Sequence, residues 1–308
     1  MLVGAGMTGV AALARPLTTL LASAAQPRTP VSFDVPPGAC DCHTHIIGDP
    51  RRFPFAPSRA YTPETASVAE MHALHQALRM ARVVVVQPTA YGTDNSCMLD
   101  ALRQIGPSAR GIAVMSAATS NAELAGMHRS GVRGIRIHVG TTGPFDPALV
   151  RQRFRASVDR IKGRGWHVEL VASSSQEIEI VGAEATTAAV PVSFDFGTLD
   201  SLGVDEPGFA TLLRLLKSGN VYVNIAGPYL DPNVARKTTA LIGANPQRIT
   251  WGSNWPHVAR IPGRPITEVT PLDQIDDGRD FNRLATWAPG ASERQLILVE
   301  NPARLYDF

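Results

Sequence analysis

Charged residues and cysteines are both scarce in this chain of 308 residues. Charged side chains make up 18% of the sequence and the formal net charge is +2, which argues against a dedicated nucleic-acid-binding protein. The three cysteines, Cys40, Cys42 and Cys97, are too few for a disulfide framework. No apolar run is long enough to cross a bilayer, and no phosphate-binding glycine loop, nucleophile elbow or zinc-finger spacing occurs. The composition therefore favours a globular enzyme for a small-molecule substrate, with neither nucleic acid nor a membrane as a partner.

Acidic residues are absent from residues 1–30. The apolar residues 2–14 and the small residues of "ASAAQ" (22–26) are typical of a signal peptide and its cleavage site. We therefore predict that residues 1–30 form a signal-like or disordered segment of an exported, periplasmic protein. The alternative interpretation is a disordered tail on a cytoplasmic enzyme.

From residue 37 onward, short β-branched runs alternate with helical patterns. Strands are predicted over 39–45, 82–87, 111–114, 134–139, 167–171, 192–196, 221–225 and 249–252. Helices are predicted over 65–78, 97–104, 121–128, 146–162, 209–217 and 234–244, with a closing helix near the C-terminus. Strands separated by helices predict an α/β fold, namely a parallel (β/α)8 barrel that spans residues 37–308.

Two histidines stand in the first predicted strand, in "DCHTH" (41–45). Asp41, His43 and His45 occupy alternate positions, so all three are expected to face the barrel lumen. Catalytic groups of such barrels lie at the C-terminal ends of the strands. Paired imidazoles at that place can bind a metal or polarise a carbonyl group, whereas a merely packed pair is the structural alternative.

Six segments, in order along the chain, carry a family resemblance. They are "DCHTHIIGDPRRFPFAPSRAYTP", "VVVVQPTAYGTDN", "ARGIAV", "GVRGIRIHV", "WGSNWPH" and "NPARLY". Together they resemble the amidohydrolase-related family, in particular the 2-pyrone-4,6-dicarboxylate lactonases and their sugar-lactone relatives. The resemblance implies a distorted (β/α)8 TIM-type barrel. It also implies lactonase chemistry without a metal or other cofactor, in which water attacks a ring carbonyl.

The resemblance also assigns roles to individual residues. His43 and His45 match the first-strand histidines that help to polarise the lactone carbonyl. Four further positions match residues that bind the substrate in the family: Tyr61, Thr89, Arg136 and His257. Among these, Arg136 matches an arginine that grips a substrate carboxylate.

Several positions depart from the family pattern. The family has an aspartate as the base that activates water where this chain has Asn254, and an amide cannot take that proton near neutral pH. Phe196 replaces a catalytic histidine in "SFDFG", next to a retained Asp195, and Val171 replaces a lumen-facing tyrosine. The regions that match the arginines for a second carboxylate offer Thr142, Thr198 and Tyr229.

These departures restrict the charge of the substrate and the groups that could act as the base. A doubly charged ligand needs more paired cations than Arg136 alone, so a neutral or singly charged ligand is expected. In the superfamily that the resemblance implies, a metal site would draw on the missing histidine and aspartate, so no metal is predicted. A substitute base could come from the histidines or from a carboxylate, Glu169 or Asp195, although either carboxylate could equally be a buried structural group.

The sequence therefore predicts a metal-independent hydrolase of a small lactone or related cyclic ester. In this interpretation His43 and His45 polarise the carbonyl, and Asn254 orients the attacking water without taking its proton. Two alternatives remain open. One is a ligand-binding pseudoenzyme that has lost its base at Asn254 and its histidine at Phe196, and the other is a non-hydrolytic isomerase or lyase.

Overall fold

A computed structural model describes residues 24–140, 146–198, 202–227, 229, 233–258 and 261–308. Eight parallel strands pair in chain order into one sheet: β1 (Cys40–Thr44), β3 (Arg82–Val86), β4 (Ala109–Ala113), β5 (Val132–His138), β6 (His167–Val171), β7 (Val192–Asp195), β8 (Val221–Ala226) and β9 (Ile249–Gly252). The predicted α/β barrel and all eight of its strands are confirmed, with bounds close to those expected. Two further short strands, β2 (Thr62–Pro63) and β10 (Val269–Thr270), pair with each other outside the barrel.

Helices cover the outside of the sheet. Those that follow the strands are α1 (Val68–Leu78), α2 (Ser96–Ile105), α3 (Asn121–Arg129), α4 (Pro147–Ile161), α5 (Ser175–Thr187), α6 (Pro207–Ser218) and α7 (Val234–Ala244). Short helices close the chain: α8 (Asp277–Asn282), α9 (Leu284–Trp287), α10 (Ala291–Gln295), a π-helical turn (Leu296–Glu300) and α11 (Asn301–Tyr306). The sequence-based prediction omits α5, although the Ser174 side chain caps it by accepting from the Glu177 amide.

The strands are buried on both faces, which explains their continuous apolar runs. In β3, Val83 and Val85 pack in the main core with the helices, whereas Val84 and Val86 pack with Cys40 in the lumen. The described helices include none long and apolar enough to cross a membrane.

A β-bulge in β1 changes which side chains face the lumen. Asp41 pairs with Val83 and Thr44 with Val85, so three steps along β1 match two along β3. Asp41 therefore lies on the helix side, where its carboxylate contacts His75 Nε2 at 3.1 Å. The expectation that Asp41 faces the lumen with His43 and His45 is wrong, because strict alternation fails at the bulge.

The barrel closes through the two motifs that stand out in the sequence. The Asn254 amide donates to the His43 carbonyl at 2.9 Å, and the His45 amide donates to the Trp255 carbonyl at 2.8 Å. Gly252 is needed at this seam, because a Cβ there would lie 2.5 Å from the His43 Cβ. The chain that follows β9 therefore lies directly beside β1.

An N-terminal strap, residues 24–36, runs along the barrel. The Trp255 indole donates to the Ala25 carbonyl at 3.2 Å, and the amides of Arg28 and Thr29 donate to the Asp276 carboxylate. The side chains of Ala24 and Ala25 are buried. Several residues between 24 and 30 thus contact the barrel, within the signal-like or disordered segment predicted for residues 1–30. Residues 1–23, on which the export prediction depends, lie outside the described residues.

Candidate active site

A buried cluster of ionisable groups, the Arg136 cluster, occupies the lumen where four strands come together. Its members are His43, Arg136, Glu169 and Asp195, from β1, β5, β6 and β7. The Arg136 Nη2 donates to Asp195 Oδ2 at 2.5 Å, and its Nε lies 3.5 Å from Glu169 Oε1. Arg136 Nη1 lies 3.4 Å from His43 Nε2. One guanidinium thus contacts all three other members.

Glu169 is buried completely within this cluster. Burial raises the pKa of its carboxyl group to about 8, and the positive charge of Arg136 offsets that effect only in part. Neither carboxyl oxygen has a hydrogen-bond partner among the described residues. Glu169 therefore holds its proton at neutral pH.

His43 is buried, and both of its ring nitrogens face the cluster. Burial and the neighbouring Arg136 charge lower its pKa well below the usual range, so the ring is neutral. Because Arg136 Nη1 can only donate, His43 Nε2 is the acceptor and Nδ1 carries the proton. That Nδ1 lies 3.8 Å from Glu169 Oε2.

Three members of the cluster could in principle bind a metal ion. Ligand atoms of His43, Glu169 and Asp195 lie within 4.8 Å of one another. The Arg136 guanidinium already lies against all three, so a divalent cation there would adjoin a fixed positive charge. The residues present do not fit a metal ion while Arg136 holds this position.

A cavity of about 140 Å³ lies above the cluster, at the C-terminal ends of the strands. Its lining residues are His45, Tyr61, Pro88, Thr89, Arg136, Asp195, Gly197, Asn254 and Val258. Most of the candidates from the sequence therefore meet at one cavity. His43, Glu169 and His257 are not among the lining residues.

His45 presents an acceptor to this cavity. Its Nδ1 lies 2.8 Å from the Val86 carbonyl oxygen, which can only accept, so Nδ1 carries the proton. Burial, together with the positive charge of Arg136, lowers its pKa to about 3, which keeps the ring neutral. The remaining nitrogen, Nε2, then has a lone pair and no proton. In this state the ring offers the cavity an acceptor and no donor.

Two hydroxyl groups complete the cavity wall. Thr89 Oγ1 donates to Tyr61 Oη at 3.4 Å. Tyr61 directly precedes β2, whose pairing with β10 holds this part of the chain against the mouth of the barrel. The sequence pattern contains no sign of this small sheet, because each of its strands has only two residues.

Comparison with known proteins shows which family this chain belongs to. Residues 40–308 match the amidohydrolase family model described as "Amidohydrolase". The chain belongs to this amidohydrolase family.

Two curated relatives match over nearly their whole length. A 2-pyrone-4,6-dicarboxylate hydrolase from Comamonas testosteroni is 34% identical over 92% of this chain and 94% of its own. A 4-sulfomuconolactone hydrolase from Hydrogenophaga intermedia is 30% identical over 90% of this chain and 91% of its own. An apo crystal structure from Agrobacterium tumefaciens shares the fold, with a TM-score of 0.73 at 23% identity over 92% of this chain and 98% of its own.

In this amidohydrolase, Asn254 lies at the end of a chain of polar groups that is half-buried at Asn254 and Tyr229 and buried at His257 and Asp277. Its Nδ2 donates to Tyr229 Oη at 3.2 Å, and Tyr229 Oη lies 2.9 Å from His257 Nδ1. His257 Nε2 lies 3.0 Å from Asp277 Oδ2. His257 is buried with both nitrogens occupied, so it does not reach the cavity as the resemblance implied. In the sequence, Tyr229 stands out only as a departure from the family pattern, and no pattern points to Asp277.

Two of the other departures are apolar side chains. Phe196 is buried in the hydrophobic core, so the position of the expected histidine contributes no polar group. Val171 ends β6 and is partly buried. Thr142 and the side chain of Thr198 lie outside the described residues.

Proposed function

We propose that this amidohydrolase hydrolyses a small, neutral or singly charged lactone, or a related cyclic ester, without a metal ion. The observation that carries the proposal is the position of the Arg136 guanidinium, among three groups that could otherwise bind a metal and at the wall of the cavity. Two relatives that are named as lactone hydrolases support the same substrate class.

The charge of the cavity limits the substrate. Among the described lining residues, Arg136 alone carries a positive charge, and it is already paired with Asp195. A dicarboxylate would bring two charges into a partly desolvated site with no free cation to match them. This supports a substrate with fewer charges than 2-pyrone-4,6-dicarboxylate.

Arg136 is the group best suited to polarise the ring carbonyl. A guanidinium donates several hydrogen bonds and keeps its charge, so it stabilises the oxyanion that forms when water attacks. His43 keeps the guanidinium in place through Nε2, and Glu169 stays protonated beside it. The histidines of β1 thus act as acceptors in this scheme, and the cation is the donor.

Asp195 is the proposed base that replaces the missing aspartate. Its side chain lines the cavity, and its Oδ1 accepts from the Gly197 amide at 3.1 Å, which fixes the carboxylate. The water oxygen bonds to the carbonyl carbon while its proton passes to Asp195. The ring C–O bond then breaks, and the leaving oxygen takes that proton from Asp195, so the products are a hydroxyl and a carboxylic acid.

Asn254 and His45 orient the water. The amide oxygen of Asn254 and Nε2 of His45 both offer acceptors at the cavity, and neither needs to take the proton. This role is compatible with an amide at the position where the family has an aspartate.

Product analysis in H₂¹⁸O with a panel of neutral and singly charged lactones tests the proposal. We expect one ¹⁸O in the acid product, activity that persists after treatment with a chelator, and a loss of about 10²–10⁴-fold in kcat for Asp195→Asn. Asp159→Asn, on exposed α4, is the matched control. Product of unchanged mass would instead indicate an isomerase, and fragments without ¹⁸O a lyase. Binding without turnover would indicate a pseudoenzyme.

A further inference from the structure

The polar chain behind Asn254 has a defined hydrogen-bond direction. We call its four members the amide relay: Asp277, His257, Tyr229 and Asn254. His257 and Asp277 are only 1% and 2% exposed, so water does not replace these contacts. The three links measure 3.0, 2.9 and 3.2 Å in order from Asp277.

The direction follows from the donor and acceptor capacity of each group. When Asp277 is ionised and the His257 ring is neutral, the carboxylate only accepts, so His257 Nε2 donates to it and Nδ1 has a lone pair. The Tyr229 hydroxyl then donates to Nδ1, and its oxygen is left to accept from Asn254 Nδ2. With these charge states, the direction of each hydrogen bond fixes the direction of the next one in the relay.

We infer that Tyr229, His257 and Asp277 are positioning residues that hold the Asn254 amide with Nδ2 inward and Oδ1 toward the cavity. There Oδ1 accepts a hydrogen bond from the attacking water, an assignment that rests on the proposed function. A carboxylate offers an acceptor whichever way it is turned, whereas an amide does so in only one of its two orientations. An amide at position 254 therefore needs a device that fixes its orientation.

The backbone around Asn254 independently restricts the amide. Asn254 has a φ of 62°, in the left-handed region that asparagine tolerates better than most residues. A Cβ on Gly227 would lie 2.9 Å from Asn254 Nδ2 and 3.2 Å from its Cβ, so the side chain packs closely against the strand end. Close packing and a partly buried hydrogen bond thus act on the same NH₂ group.

NMR tests the relay without any use of turnover. In protein labelled with ¹⁵N at histidine and asparagine, we expect His257 to carry its proton on Nε2, and the Asn254 NH₂ signal, assigned with Asn254→Ala, to move in Tyr229→Phe. Tyr61→Phe removes a second cavity hydroxyl that is not part of the relay, and we expect it to leave both signals in place. A proton on His257 Nδ1 would overturn the inference, and so would an Asn254 NH₂ signal that stays in place in Tyr229→Phe.

Kinetics then test the link to catalysis. We expect Tyr229→Phe to lower kcat/KM by about tenfold, mainly through kcat, because one oriented hydrogen bond is lost. In the Asn254→Ala background the same change should have no further effect, since the amide is no longer there to orient. Additive losses in this double-mutant cycle would contradict the positioning role. If no lactone is turned over while the NMR results hold, the proposed function fails and the relay stands.

Discussion

Arg136 and Asp195 form a buried ion pair, with 2.5 Å between Nη2 and Oδ2, at the wall of the cavity. Their side chains are 8% and 4% exposed, so the pair is shielded from the screening that weakens ion pairs at the surface. The Arg136 guanidinium also lies against the three residues whose atoms could otherwise bind a metal ion. The pair therefore connects the stability of the lumen with the proposed chemistry.

Replacement of this arginine should both destabilise the fold and create a metal site. Arg136→Gln leaves a buried carboxylate without its cation, which typically costs about 3–5 kcal/mol of unfolding free energy. It also leaves His43, Glu169 and Asp195 with ligand atoms within 4.8 Å and no cation among them. We expect Zn²⁺ to bind and stabilise this variant but not the natural protein, as measured by calorimetry and thermal unfolding. Arg155→Gln, which breaks an exposed pair with Glu184, is the control and should have little effect.

Glu169 should make the protein less stable as the pH rises. Its pKa is about 8 in the fold and near 4.5 when unfolded, so the folded state binds more protons between these values. This contribution to stability is fully present below about pH 4.5 and is lost as the pH rises toward 8, by at most about 1.4 kcal/mol per pH unit. Glu169→Gln keeps the shape of the protonated side chain but cannot ionise. It should therefore reduce the change of unfolding free energy with pH, as measured by urea unfolding from pH 5 to 8. Parallel curves for the two proteins would show that Glu169 is ionised in the fold.

A carboxylate at position 254 should rescue the loss of Asp195. Aspartate tolerates the left-handed backbone of Asn254 as asparagine does, and its side chain would line the same cavity. We expect Asp195→Asn/Asn254→Asp to recover at least about tenfold of the activity that Asp195→Asn loses. Asn254→Ala in the same background is the control without a carboxylate. Equal rates for the two double variants would mean that position 254 cannot supply a base.

Two truncated chains should show whether the N-terminal strap stabilises the barrel. A chain that begins at Ala24 keeps the bonds to Trp255, Asp276 and Glu70, whereas one that begins at residue 31 loses them all. Three or more buried or partly buried hydrogen bonds at about 1 kcal/mol each predict a difference of about 2–4 kcal/mol in unfolding free energy. Equal melting temperatures for the two truncations would show that residues 24–30 do not stabilise the barrel.

The barrel could be predicted because each of its strands carries a local signal. A run such as the valines of β3 is apolar at every position, since both faces of a parallel sheet are buried. The family segments add order along the chain, and the positions of His45, Thr89 and Arg136 at strand ends bring them to one cavity. For these residues, the rule that all strands of a parallel barrel end at the same face was enough to predict that they meet.

The chemistry of the site depends on contacts that no local pattern encodes. The bulge that turns Asp41 toward α1, the Val86 carbonyl that fixes the His45 tautomer, and the burial that keeps Glu169 protonated all arise between strands. The partners of His257 come from two other segments: Tyr229 from the chain after β8, and Asp277 from α8.

The sequence by itself thus determined the barrel and most of the residues around its cavity, because apolar periodicity and strand order are local properties. The tertiary structure decided which of those residues donate, which accept and which only support their neighbours. Shifted pKa values and fixed tautomers depend on burial and on the distance to charges far away in the chain, so they arise only once the barrel has closed.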